Sequence, residues 1–154
     1  MASRSITNGA RAGTRERKIT AKNATPDERR FLEQHKNELS RTTLRAKWIH
    51  SPDEHEDRPG QSLATRSHEV IKRWAEERRA VPAKVAGSNA DARPRVLRFD
   101  FPGYAGGRKL ESVGWDDWFK TFDDRHLVFV FQEHMRKGNQ SNFFMFDSPK
   151  REHD

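Results

Sequence analysis

Hydrophobic residues near the start of the chain follow helical spacing. Thr25 as N-cap, Pro26 at the first helical position and Glu28 three residues after the cap form a capping box, which predicts a helix from residue 25 onward. A second short helix is predicted by Leu44, Trp48 and Ile49, which continue at helical spacing. Residues 50–67 show no hydrophobic period and are rich in turn formers, so we expect a loop there.

Residues 67–148 carry the clearest patterns. Ser67 should cap a helix that runs to about Arg79, and a period-two pattern from Arg95 predicts a strand. The remaining predicted elements are a short returning strand at "KLESV", a helix with Trp115, Trp118, Phe119 and Phe122 on one face, a central strand at 127–132 and a final strand at "NFFMF". The order α-β-β-α-β-β predicts an α+β fold, a small antiparallel sheet of about four strands with helices on one face.

The same patterns divide the chain into four regions. Residues 1–24 are small, polar and basic, and cannot bury enough surface to offset their ordering entropy, so we predict a disordered basic tail. Residues 25–66 are predicted as a helical extension with an acidic loop, residues 67–148 as the compact domain, and residues 149–154 as a C-terminal tail.

Composition narrows the class of protein. Hydrophobic residues make up 32% and charged residues 34% of the 154 positions, whereas soluble domains average about 45–50% apolar residues. The chain has no cysteine, so it can form neither disulfides nor thiolate zinc sites. No apolar run approaches the roughly 20 residues of a membrane span. We therefore expect a cytoplasmic protein without membrane contact.

The segment "GWDDWFKTFDDRHLVFVF" combines aromatic residues with aspartates. Because the chain is short of apolar residues, we expect its aromatic side chains to build the core, with the aspartates on the opposite face. Asp123 and Asp124 stand at the helix C-terminus, where negative charge opposes the helix dipole. That mismatch marks them, together with Tyr104, as a possible ligand surface.

Basic residues in the N-terminal segment are the strongest functional cue. Residues 1–30 hold eight Lys/Arg against three Asp/Glu, in a chain of net charge +7. Six of them are candidate contacts for nucleic acid or an acidic protein: Arg4, Arg11, Arg15, Arg17, Lys18 and Lys22. The contact should be salt-sensitive and independent of base sequence. A tail that only aids solubility is the alternative.

The acidic stretch "HSPDEHED" offers a metal candidate through His50 and His55. Its spacing matches neither a zinc signature nor an EF-hand, so the sequence favours a solvated loop or a salt-bridge latch with Arg41, Arg45 and Lys47. We expect no cofactor. The chain also lacks HExxH and a G-x-S-x-G elbow, which disfavours an enzyme.

Residues 65–146 resemble a family of small bacterial and archaeal proteins without an established activity. The resemblance rests on "RWAEER", "LRFDFPGY", "GWDDWF" and the closing "SNFFMF", and Gly114 departs from it where a capping Ser is usual. Members are often labelled glucan branching enzyme. A branching enzyme needs a (β/α)₈ barrel of about 250 residues, which exceeds this chain.

Two functional classes follow from these observations. The first is a small non-enzymatic binding or adaptor module whose basic tail adds affinity for nucleic acid or an acidic partner. The alternative is an enzyme or carbohydrate-linked protein that uses the acidic, Trp-rich helix.

Overall fold

The computed structural model describes residues 17–85, 97–103 and 110–149. Predictions for residues 1–16, for the loop that includes "AGSNADARP", for the loop with Tyr104 and for residues 150–154 lie outside this range. The helices are α1 (Pro26–Gln34), α2 (Arg41–Arg45), α3 (His68–Glu77) and α4 (Trp115–Asp124). The strands are β1 (Lys47–Trp48), β2 (Leu63–Thr65), β3 (Val81–Val85), β4 (Leu97–Asp100), β5 (Leu110–Ser112), β6 (Val128–Phe131) and β7 (Phe144–Asp147).

The predicted α+β class and the four-stranded sheet are confirmed. The strand order of that sheet is β1-β2-β6-β7; β1 and β2 are parallel and the other pairs are antiparallel, so the sheet is mixed rather than antiparallel throughout. A second, three-stranded antiparallel sheet has the order β4-β3-β5. The predicted strands near 97 and 110 therefore belong to a separate sheet from β6 and β7.

Both faces of the four-stranded sheet are covered, whereas the sequence predicted helices on one face only. Side chains alternate across a strand, so Phe129 and Phe131 of β6 point toward α3 and α4, while Val128 and Val130 point the other way. The second face packs against Leu32, Leu39 and Leu44 from the α1 and α2 region. Residues 25–66, predicted as an extension, thus supply two strands and one layer of the same body.

Helix ends follow the chemistry expected from the sequence. The Thr25–Glu28 capping box is present, and the side chain of Ser67 accepts a hydrogen bond from Val70 N. Gly114 begins α4 without a side-chain cap. At the C-terminus of α3, Arg79 has φ 56°, and Ala80 N donates to Ala75 O at 2.9 Å, which forms a Schellman motif.

The aromatic face of α4 builds the core as predicted. Trp118 and Phe122 are fully buried, and the Trp118 indole N–H donates to Arg98 O at 3.1 Å. Trp115 is partly buried and stacks on Phe119 with ring centroids 5.1 Å apart. These rings are structural, because each contacts other core side chains rather than an open groove.

Candidate functional site

The last part of the predicted tail is attached to the domain. Residues 17–22 run beside α2 and β1, and the Ala21 side chain is buried. The hydrogen bonds that hold this segment include Arg17 Nη1 to Leu39 O at 2.6 Å, Thr20 N to Leu44 O at 3.0 Å, and Trp48 N to Lys22 O at 2.8 Å. Residues 17–24 are therefore part of the folded body, and the rest of the predicted tail lies outside the described residues.

This attachment places exposed cations along one edge of the domain. Lys18 lies between the two anchored positions 17 and 20, whose partners are residues 39 and 44. Arg41 of α2 lies within residues 39–44, and Arg45 follows directly after them. All three side chains are exposed, and none has a hydrogen bond or ion pair with a described residue. We call Lys18, Arg41 and Arg45 the cationic edge.

The other two described cations of the predicted set have intramolecular partners. Arg17 donates to Leu39 O, as above, and Lys22 Nζ lies 2.8 Å from Asp57 Oδ2. Asp57 also accepts from Lys47 Nζ at 3.0 Å. Hydrogen bonds from Lys22, then Lys47, hold the pKa of Asp57 well below its usual range. Arg4, Arg11 and Arg15 of that set lie outside the described residues.

Lys47 orders the acidic loop between β1 and β2. Its side chain is only 10% exposed, and its Nζ donates to His55 O at 2.7 Å as well as to Asp57. Because a buried ammonium needs acceptors on several sides, these contacts hold the loop backbone against the strand. Of the three cations that the sequence offered for a salt-bridge latch, Lys47 forms it, and Arg41 and Arg45 have no described contact with the loop.

The latch places His55 and Glu56 opposite Glu133 and His134, which follow β6. His55 Nδ1 lies 2.8 Å from Glu133 Oε2, and His134 Nδ1 lies 2.5 Å from Glu56 Oε2. Glu56 N donates to Glu133 Oε1 at 3.0 Å. One ligand atom each from Glu56, Glu133 and His134 lie within 4.8 Å of one another. We call these four residues the His–Glu cluster.

One oxygen in the cluster has no partner. Glu56 Oε1 is screened from solvent and has no hydrogen bond within the described part of the chain. The Glu56 side chain is 11% exposed, so water does not compensate freely. A buried acceptor left unsatisfied costs about 1–3 kcal/mol, and more when it is charged. An orphaned carboxylate oxygen beside a second carboxylate and an imidazole is a feature that a bound cation would explain.

The backbone of the cluster is held in place before any ligand binds. The carbonyl of Glu133 accepts from Arg78 Nη2 at 2.9 Å and from Ser141 N at 3.1 Å. Gly60 N donates to the carbonyl of His134 at 2.9 Å. Side-chain rotation is therefore the main freedom left to Glu133 and His134.

Two of the four residues of this cluster lie in the acidic stretch that the sequence offered as a metal candidate. His55 and Glu56 belong to the acidic stretch, but His50, the other predicted metal residue, lies apart from the cluster: its Nε2 is 2.8 Å from Glu28 Oε1. Glu133 and His134 were missed because they approach the loop from 77 or 78 positions along the chain. No local spacing signals such a meeting; the only sign is two ligand-type residues directly after an apolar strand.

A small cleft adjoins the cluster. It lies between the acidic loop, α3 and the end of β6, and His55 and Glu133 form part of its wall. Trp74 and Phe131 give it an apolar side, and Arg73 and Glu77 give it a charged rim. The cleft is thus lined by both polar and aromatic groups.

The acidic helix does not contribute to this cleft. Asp123 is exposed, and its Oδ1 lies 2.9 Å from His68 Nε2. The His68 ring stacks against Phe119 with ring centroids 4.0 Å apart. Asp124 pairs with Lys120 at 3.5 Å. No α4 carboxylate lines this cleft, and Tyr104 lies outside the described residues.

Within the described ranges, every helix is too short or too polar to cross a bilayer. No family model, no curated protein and no solved structure matches the chain. The family resemblance stays a prediction from the motifs, and function has to be argued from the residues themselves.

Proposed function

We propose that the protein is a small non-enzymatic binding module that contacts the phosphate backbone of nucleic acid. The contact surface is the cationic edge, continued by Arg4, Arg11 and Arg15 of the N-terminal segment. The observation that carries the proposal is the anchoring of residues 17–22, which brings the C-terminal end of the basic N-terminal segment beside two exposed arginines of α2. A cytoplasmic location, as expected from the sequence, belongs to the same proposal.

The free state of the three edge cations supports this function. An arginine or lysine that already has a carboxylate partner must give it up to bind phosphate, which reduces the net free energy gained on binding. Lys18, Arg41 and Arg45 have no such partner among the described residues, so phosphate binding requires only the release of counterions. Lys22, by contrast, is committed to Asp57.

Base-specific recognition is not part of the proposal. Stacking on bases needs exposed aromatic rings, and Phe129 is completely buried. Phe143 is 41% exposed, but it lies just before the first residue of β7. The other end of that strand, at Asp147, is the end that contacts Ser40 next to α2. Contacts from cations alone position a protein on nucleic acid without reading its sequence.

The salt dependence of binding tests the proposal. Six cations, three on the edge and three in the N-terminal segment, predict a slope of about −5 for log K against log salt on duplex DNA. The measurement is fluorescence anisotropy with a labelled duplex of mixed sequence, between about 25 and 150 mM salt. Removal of residues 1–16 should reduce the slope to about −3, because three of the six cations are lost. The deletion stops at residue 16 because residues 17–24 belong to the fold.

A matched pair of triple variants locates the surface. Lys18→Gln, Arg41→Gln and Arg45→Gln together should also reduce the slope to about −3. Lys72→Gln, Lys120→Gln and Lys137→Gln remove the same charge from exposed positions elsewhere and should leave the slope near −5. Absence of binding at low salt, or equal effects of the two triple variants, would refute the proposed function. Binding to an acidic protein would then be the hypothesis to examine.

A further inference from the structure

The His–Glu cluster combines the side chains from which proteins build sites for divalent transition metals. One imidazole and two carboxylates converge from two segments, and their nearest ligand atoms lie within 4.8 Å of one another. From this geometry we infer that Glu56, Glu133 and His134 bind a divalent cation of the zinc class. The site is independent of the proposed nucleic-acid contact, which uses other residues.

The distances require a small adjustment only. Ligands at 2.0–2.2 Å from a tetrahedral zinc ion lie about 3.4 Å apart. One ligand pair in the cluster is already below that separation: His134 Nδ1 and Glu56 Oε2 at 2.5 Å. Closing the widest pair from within 4.8 Å, by up to about 1.4 Å, needs side-chain rotation, because the backbone at 133 and 134 is fixed by hydrogen bonds.

The unpartnered oxygen of Glu56 is an independent observation that points to a cation. The hydrogen bond between His134 and Glu56 uses only Oε2 of Glu56, and it gives no reason for Oε1 to be buried without a donor. A cation seated between the two carboxylates would contact that oxygen and balance the two negative charges. The orphan and the converging ligands therefore have one common explanation.

The ligand set selects the class of cation. Imidazole nitrogen favours zinc and its neighbours over magnesium and calcium, which prefer an all-oxygen shell. Among divalent ions of similar availability, zinc binds more tightly than manganese or iron at a given nitrogen and oxygen site. Three protein ligands leave a fourth position for water. His55, which hydrogen-bonds Glu133, holds that carboxylate in orientation as an outer partner.

Titration of the full-length protein with metal tests the inference. After removal of bound metal with a chelator, isothermal titration calorimetry with Zn²⁺ should give one saturable site per chain. Mg²⁺ and Ca²⁺ under the same conditions should give none. Co²⁺ as a probe should produce the intense visible bands of a low-symmetry, four-coordinate ion. Lack of a saturable Zn²⁺ site in the wild-type protein overturns the inference without need of any variant.

Substitutions assign the ligands. Glu56→Gln and His134→Ala should each weaken Zn²⁺ binding at least tenfold, and His55→Ala should weaken it by about tenfold as an outer partner. His50→Ala is the matched control, because His50 also pairs with a glutamate of the fold but lies outside the cluster. It should change the affinity less than twofold. Circular dichroism checks that each variant folds. Equal losses in His50→Ala and His134→Ala, or full affinity in Glu56→Gln, would overturn the assignment.

Discussion

Substitution of Arg78 by lysine measures how much one buried guanidinium contributes to the free energy of unfolding. The Arg78 side chain is 3% exposed and lies over the Trp74 ring at 4.4 Å. Its three shortest hydrogen bonds go to backbone carbonyls: Nε to Ser141 at 2.7 Å, Nη1 to Trp74 at 2.9 Å and Nη2 to Glu133 at 2.9 Å. Arg78 thus joins the end of α3 to both sides of the 132–141 connection.

The expected cost follows from the bonds that lysine cannot replace. A hydrogen bond from a charged donor contributes about 1.5–3 kcal/mol, and a point-like ammonium cannot reach acceptors arranged around a planar fork. Loss of one or two such bonds, with part of the stacking on Trp74, predicts destabilisation by about 3–5 kcal/mol. Burial lowers the pKa of Arg78, opposed by Glu77 and Glu133, and lysine would be desolvated at the same position.

Urea denaturation followed by tryptophan fluorescence is a suitable measurement. Arg78→Lys should lower the midpoint with an unchanged m-value. Arg73→Lys is the matched control, because Arg73 is 51% exposed and contacts Glu77 at 3.2 Å at the surface, so its loss should cost less than about 1 kcal/mol. Equal, small effects of both substitutions would show that the guanidinium fork does not hold the connection.

Two further predictions concern charge and backbone strain. Because hydrogen bonds from Lys22 and Lys47 keep the pKa of Asp57 below its unfolded value of about 3.9, the stabilisation is complete above that pH and is lost as the pH falls. Asp57→Asn should therefore flatten the fall in Tm between about pH 4 and pH 2, and an unaltered fall would contradict this. Arg79→Gly should raise the free energy of unfolding by about 0.5–1 kcal/mol, since φ at Arg79 is 56°, while Arg79→Ala should give no gain. A urea midpoint that is lower in the glycine variant would refute the strain argument.

The elements that could be predicted from sequence are those specified by neighbouring residues. The capping box at Thr25, the cap at Ser67 and the aromatic face of α4 depend on contacts within about one helical turn. The apolar strand at 128–131 was also predicted as central, and it lies between β2 and β7 with both faces covered. In each case the local pattern and the final packing agree.

The elements that were missed depend on distant partners. β1 and β2 have two and three residues, which is too few to show a period, and Lys47–Trp48 falls at helical spacing after Leu44. β3 contains Pro82, a residue type that is disfavoured inside strands, and it lies one residue beyond the last β3–β5 pair, Ala83 and Ser112. The His–Glu cluster could not be predicted as a unit for the same reason, since its two halves meet only through the fold.

The position of β6 sets the order in which the domain can be completed. β6 lies between the two hydrophobic cores, and Asp147 of β7 accepts a hydrogen bond from Ser40 N at 2.8 Å across 107 positions. During synthesis from the N-terminus, Leu32, Leu39 and Leu44 emerge from the ribosome long before their partners on β6. Neither core can close until residues 128–147 are translated, so the apolar side chains of the α1 and α2 region wait for their sheet partners until then.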